Sequence, residues 1–273
     1  MICLGIATGT YFIYHVQPGD TLYAIADRFG STPQAIADAN YLYPPVTTPD
    51  MIFPGQLLVV PSNSTNANST FYVVAPGDSL TRIALRFSTA IELIAGINTD
   101  IQDPGLIYPG QPLVVPAFIY TVEPGDTIYQ LQQRFGIPRA NIIRANQNRP
   151  GFSPTTIWPG YALIIPLETS ENIAVMDPLP GTVIQSGQRV TGYARAFEAN
   201  VLHQVRDSNG VIVSEERAVM ADQGAPAYGR FESTLPFDRQ PTASTGEIWV
   251  YTRSPRNNEI QDLVQVKVNF NSV

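Results

Sequence analysis

The sequence predicts a multidomain chain of mixed α+β and all-β class, in which three small β-α-α-β modules precede a β-sandwich. Three observations carry that prediction. Pro-Gly-Asp occurs at Pro18-Gly19-Asp20, Pro76-Gly77-Asp78 and Pro124-Gly125-Asp126, each time after a short β-prone run. Each Asp is followed 20 residues later by an Asn: Asn40, Asn98 and Asn146. Past the third copy the helical periodicity stops, and residues 173–273 alternate short β-rich runs with turns. At 273 residues the chain is long enough for several small domains.

The elements follow in chain order. Residues 1–13, MICLGIATGTYFI, form an apolar extension that lacks the basic n-region and clear cleavage site of a signal peptide. As the remnant of a longer export segment, it would make Cys3, the sole cysteine, a lipid-anchor candidate, which these residues do not prove. As an ordered segment, its alternating Ile2, Leu4 and Ile6 suit a strand with one covered face. The cover is either an edge of the same chain or a neighbouring subunit; the neighbouring subunit is the expectation taken here.

Each module opens with a β-branched or aromatic strand, Tyr14-His15-Val16, Tyr72-Val73-Val74 or Tyr120-Thr121-Val122, which Pro-Gly ends. The Asp that follows is expected to N-cap a first helix. Leu22, Ile25, Ala26 and Phe29, like Leu80, Ile83, Ala84 and Phe87, give that helix one buried face. In the third copy, Ile128, Leu131, Gln132 and Phe135, the face is interrupted by Gln132. A second helix is expected from Thr32-Pro33, an N-cap with Pro at its first position, and from Thr89 with Glu92, a capping box. Ile36, Ile94 and Ile142 lie four residues before each Asn. A Pro-x-x-Ile-aromatic-Pro-Gly segment, with Phe53, Tyr108 or Trp158 as the aromatic, leads into an apolar strand ending at Pro61, Pro116 or Pro166. These aromatics either stack on sugar rings or pack, with packing the favoured use. Residues 62–70 read as a polar linker. Only residues 117–119 separate the second and third modules, so those two are expected to dock.

In the tail, strands are expected at 189–193, 201–206, 211–215, 247–252 and 263–270, with Asp207-Ser208-Asn209-Gly210 as a hairpin turn. Five or more strands in about 100 residues indicate a sandwich.

The repeat resembles the lysin motif (LysM) domain. The first copy opens His15-Val16-Gln17-Pro18-Gly19-Asp20-Thr21-Leu22 and closes Ile52-Phe53-Pro54-Gly55-Gln56-Leu57. The resemblance covers residues 14–61, 71–116 and 120–166, with departures at Pro112 and at Tyr161, which replaces a Gln. Residues 173–273 resemble the immunoglobulin-like domain of bacterial spore germination proteins through Asp177-Pro178-Leu179-Pro180-Gly181, Val190-Thr191-Gly192-Tyr193-Ala194 and Phe197-Glu198-Ala199-Asn200. The LysM resemblance implies a non-catalytic bacterial protein, extracellular or cell-wall associated, that binds N-acetylglucosamine-containing polysaccharide such as peptidoglycan or chitin. It implies three grooves. The first uses Gly19, Asp20, Thr21 and Leu22 with Met51 and Ile52. The second uses Gly77, Asp78, Ser79 and Leu80 with Leu106 and Ile107. The third uses Gly125, Asp126, Thr127 and Ile128 with Thr156 and Ile157. The alternative is a structural subunit of a surface layer or filament that uses the LysM and immunoglobulin-like domains for assembly, with a further copy or another surface protein as partner through the immunoglobulin-like domain and residues 1–13.

Composition narrows the chemistry. A net charge of −7 argues against nucleic acid as the main partner. No apolar run is long enough to span a bilayer. One Cys and two His leave no framework for a cysteine peptidase or zinc peptidase, so neither metal nor cofactor is expected. His203 is expected at a strand rim. Adjacent Glu215 and Glu216 would face opposite ways on a strand and so cannot flank one glycosidic bond. The third module is cationic, with Arg134, Arg139, Arg144 and Arg149 against Glu123 and Asp126, and is expected to bind an anionic wall best.

Overall fold

The computed structural model describes residues 5–48, 51–63 and 69–271. Cys3 and the expectation attached to it lie outside the described residues. The first module comprises β1 (Thr10–His15), α1 (Leu22–Phe29), α2 (Pro33–Asn40) and β2 (Leu57–Ser62). The second comprises β3 (Ser69–Val73), α3 (Leu80–Phe87), α4 (Ile91–Ile97) and β4 (Pro112–Val114). The third comprises β5 (Ala117–Thr121), α5 (Ile128–Phe135), α6 (Arg139–Ala145) and β6 (Ala162–Pro166). The two strands of each module pair antiparallel.

Each opening strand begins before the run that the repeat suggests. Thr10 to Ile13, Ser69 to Phe71 and Ala117 to Ile119 are already extended and paired, because their apolar and β-branched residues continue the strand backwards. Val16, Val74 and Val122 instead tie two turns together. Val16 N donates to Gln56 O at 2.9 Å and Gly55 N donates to Val16 O at 2.8 Å, with counterparts at Val74 and Val122. Gly19 and Gly55, with φ of 88° and 86°, sit where these Pro-Gly turns require left-handed backbone.

The first-helix N-caps are Thr21, Ser79 and Thr127, one residue later than expected. Asp20 instead turns back. Its carboxylate accepts from Gln17 N at 2.6 Å and from the Tyr14 hydroxyl at 2.8 Å. Asp78 does the same with Ala75 N and Tyr72, and Asp126 with Glu123 N and Tyr120. The hydroxyl residue that follows each Asp is thus left to cap the helix. The Thr89–Glu92 capping box is also corrected. α4 starts one residue late with Ala90 as an N-cap that offers no side-chain bond, and the Thr89 hydroxyl accepts from Thr169 at 2.9 Å. Thr32 does cap α2, accepting from Ala35 N at 3.1 Å, with Pro33 in the first turn. Gln132, the interruption on α5, accepts from Arg139 N at 3.0 Å and so serves the start of α6, which has no side-chain cap of its own.

The repeated Asn joins the second helix to the closing strand. Asn40 Nδ2 donates to Ile36 O and Val59 O at 2.8 and 2.7 Å, and its Oδ1 accepts from Val59 N at 2.9 Å. Asn98 and Asn146 repeat all three bonds, with Val114 and Ile164 in the strand. The side-chain amide thus acts as an extra rung of sheet for backbone groups that burial would otherwise leave unpaired.

The modules form one body. β1 pairs in parallel with β3, so the first two share a four-stranded sheet, β2-β1-β3-β4. One apolar cluster draws Ile13 and Val59, Tyr72 and Phe87, and Ile119 and Ile164 from all three modules. Arg86 donates to Ala145 O and Gln147 O, while Arg144 donates to Leu85 O and the Ser88 hydroxyl, so α3 and α6 each supply an arginine to the other's C-terminus. Arg149, 5% exposed, bridges the third module to the first, donating to Asn146 Oδ1 and Ala162 O and to Asn40 Oδ1 and Ala39 O.

The neighbouring-subunit expectation for the N-terminal extension is corrected for its described part. Ala7 N donates to Ile119 O at 3.0 Å and Thr121 N donates to Gly5 O at 2.7 Å. Ile6 is buried in the core of the third module, and β1 is paired on both sides. The β5 edge of the same chain was the nearer partner and needed no association step.

The tail folds as two facing sheets. One has the order β11 (Ile212–Met220), β10 (Asn200–Asp207), β13 (Thr245–Arg253), β14 (Ile260–Phe270), β8 (Val183–Ile184). The other has β12 (Gly229–Leu235), β9 (Gln188–Ala194), β7 (Ile173–Asp177). Val190, Val205, Phe231, Ile248 and Val266 lie in the core between them. Asp207 closes the expected hairpin by accepting from Asn209 N and Val211 N. The sandwich docks on the modules: Tyr228 lies against Gly96 of α4, and Lys267 donates to Gln133 O on α5.

Candidate functional site

The two tied turns of each module place two loops side by side: the start of the first helix and the segment before the second Pro-Gly. In the first module this juxtaposition forms a cleft of about 600 Å³ lined by Asp20, Thr21, Leu22, Tyr23, Thr32, Pro33, Gln34, Met51 and Ile52. Five of the six residues expected for the first groove therefore line one cleft, and Gly19 adjoins it. Tyr23 is 78% exposed and Met51 46%, so the rim is apolar and open to water. Leu22 is buried and contributes mainly its backbone. Asp20 contributes a carboxylate already bound to Tyr14 and Gln17. That bond and, first, burial push the Tyr14 phenol up to about 12.

The second and third modules place their residues at the same element ends. Leu106 and Tyr108 are 55% and 60% exposed, Ser79 and Thr127 cap their helices, and Leu80 and Ile128 are buried. Ile107 and Ile157 are half-buried against their module cores. Tyr129 occupies the position of Tyr23 and is 61% exposed, whereas the second module has Thr81 there. Tyr23 and Tyr129 were missed in the sequence; the signal was an aromatic one step off the apolar helix face, where no core asks for it.

Trp158 is not a free sugar platform. It stacks on Tyr41 of the first module, with ring centroids 6.0 Å apart and planes 20° apart. The cationic surface expected of the third module is also largely consumed. Arg134 is paired with Asp126 and Glu123, Arg144 caps α3, and Arg149 is buried.

Elsewhere, His203 is buried rather than at a rim, with Nε2 2.9 Å from the Ser233 hydroxyl across the sandwich. The strand register turns its ring inward; burial, then the Arg217 charge, hold the imidazole down at about 4. Glu215 pairs with Arg239 and Glu216 with Arg253, so the two carboxylates diverge as a strand requires. Among the described residues, no group of three His, Cys, Asp or Glu is placed to hold a metal ion.

Comparisons with known proteins agree with this architecture. The LysM domain family model matches residues 14–61, 72–116 and 120–166, together more than half of the chain. The model for the immunoglobulin-like domain of bacterial spore germination, Gmad2, matches residues 172–259. The N-acetylmuramoyl-L-alanine amidase sle1 of Staphylococcus aureus is 29% identical over 58% of this chain and 53% of its own length. The autolysin of Enterococcus faecalis is 25% identical over 77% of this chain and 32% of its own. Among solved structures, the spore cortex-lytic enzyme SleL of Bacillus cereus is 33% identical, covering 39% of this chain and 22% of that one with a TM-score of 0.29. The chain thus spans about a third to a half of the length of these curated relatives. No helix among the described residues is long and apolar enough to cross a membrane. LysM domains support binding to peptidoglycan and a place at the cell wall. This chain belongs to the LysM family, with three LysM domains followed by a Gmad2 immunoglobulin-like domain.

Proposed function

We propose that this chain is a non-catalytic, extracellular or wall-associated binder of N-acetylglucosamine-containing polysaccharide, with the first module's groove as its principal site. The observation that carries this reading is the cleft in which Asp20, Thr21, Leu22, Met51 and Ile52 converge. Its tied turns put backbone amides and carbonyls beside an apolar rim, which suits an N-acetyl group: polar partners for the amide and cover for the methyl. Tyr23 adds a ring on which a sugar face can lie. Its one described lining carboxylate, Asp20, is held by two hydrogen bonds, whereas glycoside hydrolysis ordinarily uses a pair. The named relatives that act on walls motivate the substrate class; their activities are not carried over.

The test uses the full chain. It should sediment with purified peptidoglycan and with chitin, releasing neither reducing ends nor muropeptides, and Met51→Asp should weaken sedimentation about tenfold, as removal of one good apolar contact does. Product release by the pure protein would refute the non-catalytic reading, and unchanged binding by Met51→Asp would move the site elsewhere. The filament alternative drew on an uncovered N-terminal strand, and residues 5–13 are paired within the chain.

A further inference from the structure

We propose that the cleft between the first and second modules is a carboxylate subsite that gives the chain a preference for acid-bearing wall glycan over neutral chitin. The proposal rests on the glycan-binding reading above and adds a specificity to it. The cleft encloses about 200 Å³, with His15, Gln17 and Arg28 on the side of the first module and Pro76, Pro109 and Gly110 on that of the second. Pro76 directly precedes Gly77, and Pro109 follows the Ile107-Tyr108 step. The cleft therefore continues the loops proposed to hold sugar in the second module, and a polymer lying there passes its next substituents over Arg28.

The repeat itself shows what is unusual about Arg28. An arginine stands eight residues after each repeat Asp, at Arg28, Arg86 and Arg134. Arg134 is neutralised by Asp126 at 3.0 Å and Glu123 at 3.6 Å. Arg86 crosses to carbonyls of the third module. At Arg28 the counterpart of Glu123 is Gln17, and among the described residues no carboxylate lies within the 4.0 Å of an ion pair. The Arg28 guanidinium lies over the Tyr14 ring at 5.4 Å and the Phe29 ring at 5.2 Å, is a side-chain hydrogen-bond partner of the Tyr14 hydroxyl, and reaches within 3.3 Å of where a side chain on Gly110 would begin. A planar fork of N–H donors matches a carboxylate. Asp20 is engaged by Tyr14 and Gln17 N. His15, held below its ordinary range by burial and then by the Arg86 charge, adds no charge at neutral pH. The cleft thus carries one cation with no carboxylate in ion-pair range among the described residues, and Pro76 and Pro109 line the cleft with it.

A wall glycan offers such a carboxylate from two sources: the lactyl group of a muramic acid without peptide, or the end of a stem peptide. Three probes of equal sugar length separate them: chitotetraose, a peptide-free N-acetylglucosamine–N-acetylmuramic acid tetrasaccharide, and the same tetrasaccharide with stem peptides. Each is titrated calorimetrically into the full chain and into Arg28→Gln. We expect the wild-type chain to favour an acid-bearing probe over chitotetraose by about tenfold at low salt. Arg28→Gln should abolish that preference and leave chitotetraose binding unchanged, and high salt should erase the preference in the wild type. Preference for the peptide-free acid alone assigns the lactyl group; preference for the peptide-bearing probe alone assigns the stem. Equal wild-type affinities for all three probes, or an equal loss on all three in Arg28→Gln, overturn the subsite and leave the glycan-binding reading standing. Binding of none of the probes overturns both.

Discussion

In the first module Arg28 lines a cleft, over two aromatic rings and bonded to the Tyr14 hydroxyl but to no carboxylate; at the same repeat position in the third, Arg134 is bound by the Tyr120 hydroxyl and by two carboxylates. Beneath these arginines the modules match bond for bond: the Asp accepts from the Tyr hydroxyl and a backbone amide, and the Asn joins helix to strand. The residues that recur are thus the ones that build the module. The ones that differ decide whether its outer face is open to solvent, as in the first module, or spent on neighbours, as with Trp158 and Arg149 in the third.

That division is open to attack by mutation. If the skeleton is common, Asn40→Ala and Asn146→Ala should each cost about 3 kcal/mol in denaturant unfolding, because each removes three side-chain bonds to buried backbone groups and one from Arg149. A cost near zero in one of them would break the equivalence. The sandwich offers a second contrast, since its imidazole is fully buried whereas His15 of the first module is half-buried. His203 is held at about 4. Between its unfolded value near 6.5 and 4, the unfolded chain binds a proton that the folded chain refuses. Stability is therefore full above pH 6.5, falls as pH drops toward 4 by up to about 3 kcal/mol, and levels off below. Thermal scans across that window should show the slope, and His203→Gln should flatten it. Third, Gly96→Val should cost about 2 kcal/mol by driving a methyl group into the Tyr228 ring, with hydrogen exchange rising in α4 and β7 rather than in β1. The smallest effects are expected at the tyrosines. Tyr14→Phe and Tyr120→Phe each remove a bond to the repeat Asp and one from the repeat Arg, and each should cost about 1 kcal/mol.

Much of the skeleton was legible in the sequence because it is repeated. The helices show in the spacing of Leu22, Ile25 and Ala26 and their counterparts, all buried except Gln132. The N-caps were misplaced by one residue because Asp and Thr both cap helices, and nothing local reveals that Tyr14 recruits the Asp from six residues away. Strands β7, β8 and β12 were missed; β8 is two residues long, and β12 alternates Glu232, Ser233 and Thr234 without an apolar run. Five residues that the family resemblance names for the first groove line one cleft, whereas Tyr23, which lines it too, was not part of the resemblance. What the arginines do was not legible at all, since ion pairing, capping and burial depend on contacts such as Arg149 with Asn40, 109 residues away.

The parallel pairing of β1 with β3 has a practical consequence for anyone dissecting the protein. Cutting the chain within residues 62–70 would not release two tidy units. It would strip each of a sheet neighbour, bare the unpaired amides and carbonyls of β1 and β3, and open the cluster that Ile13 and Tyr72 share. Fragments made that way should clump, or borrow a strand from one another. A glycan affinity measured on them would describe a surface that does not exist in the intact chain. Point substitutions in the whole protein are the way to compare its three modules.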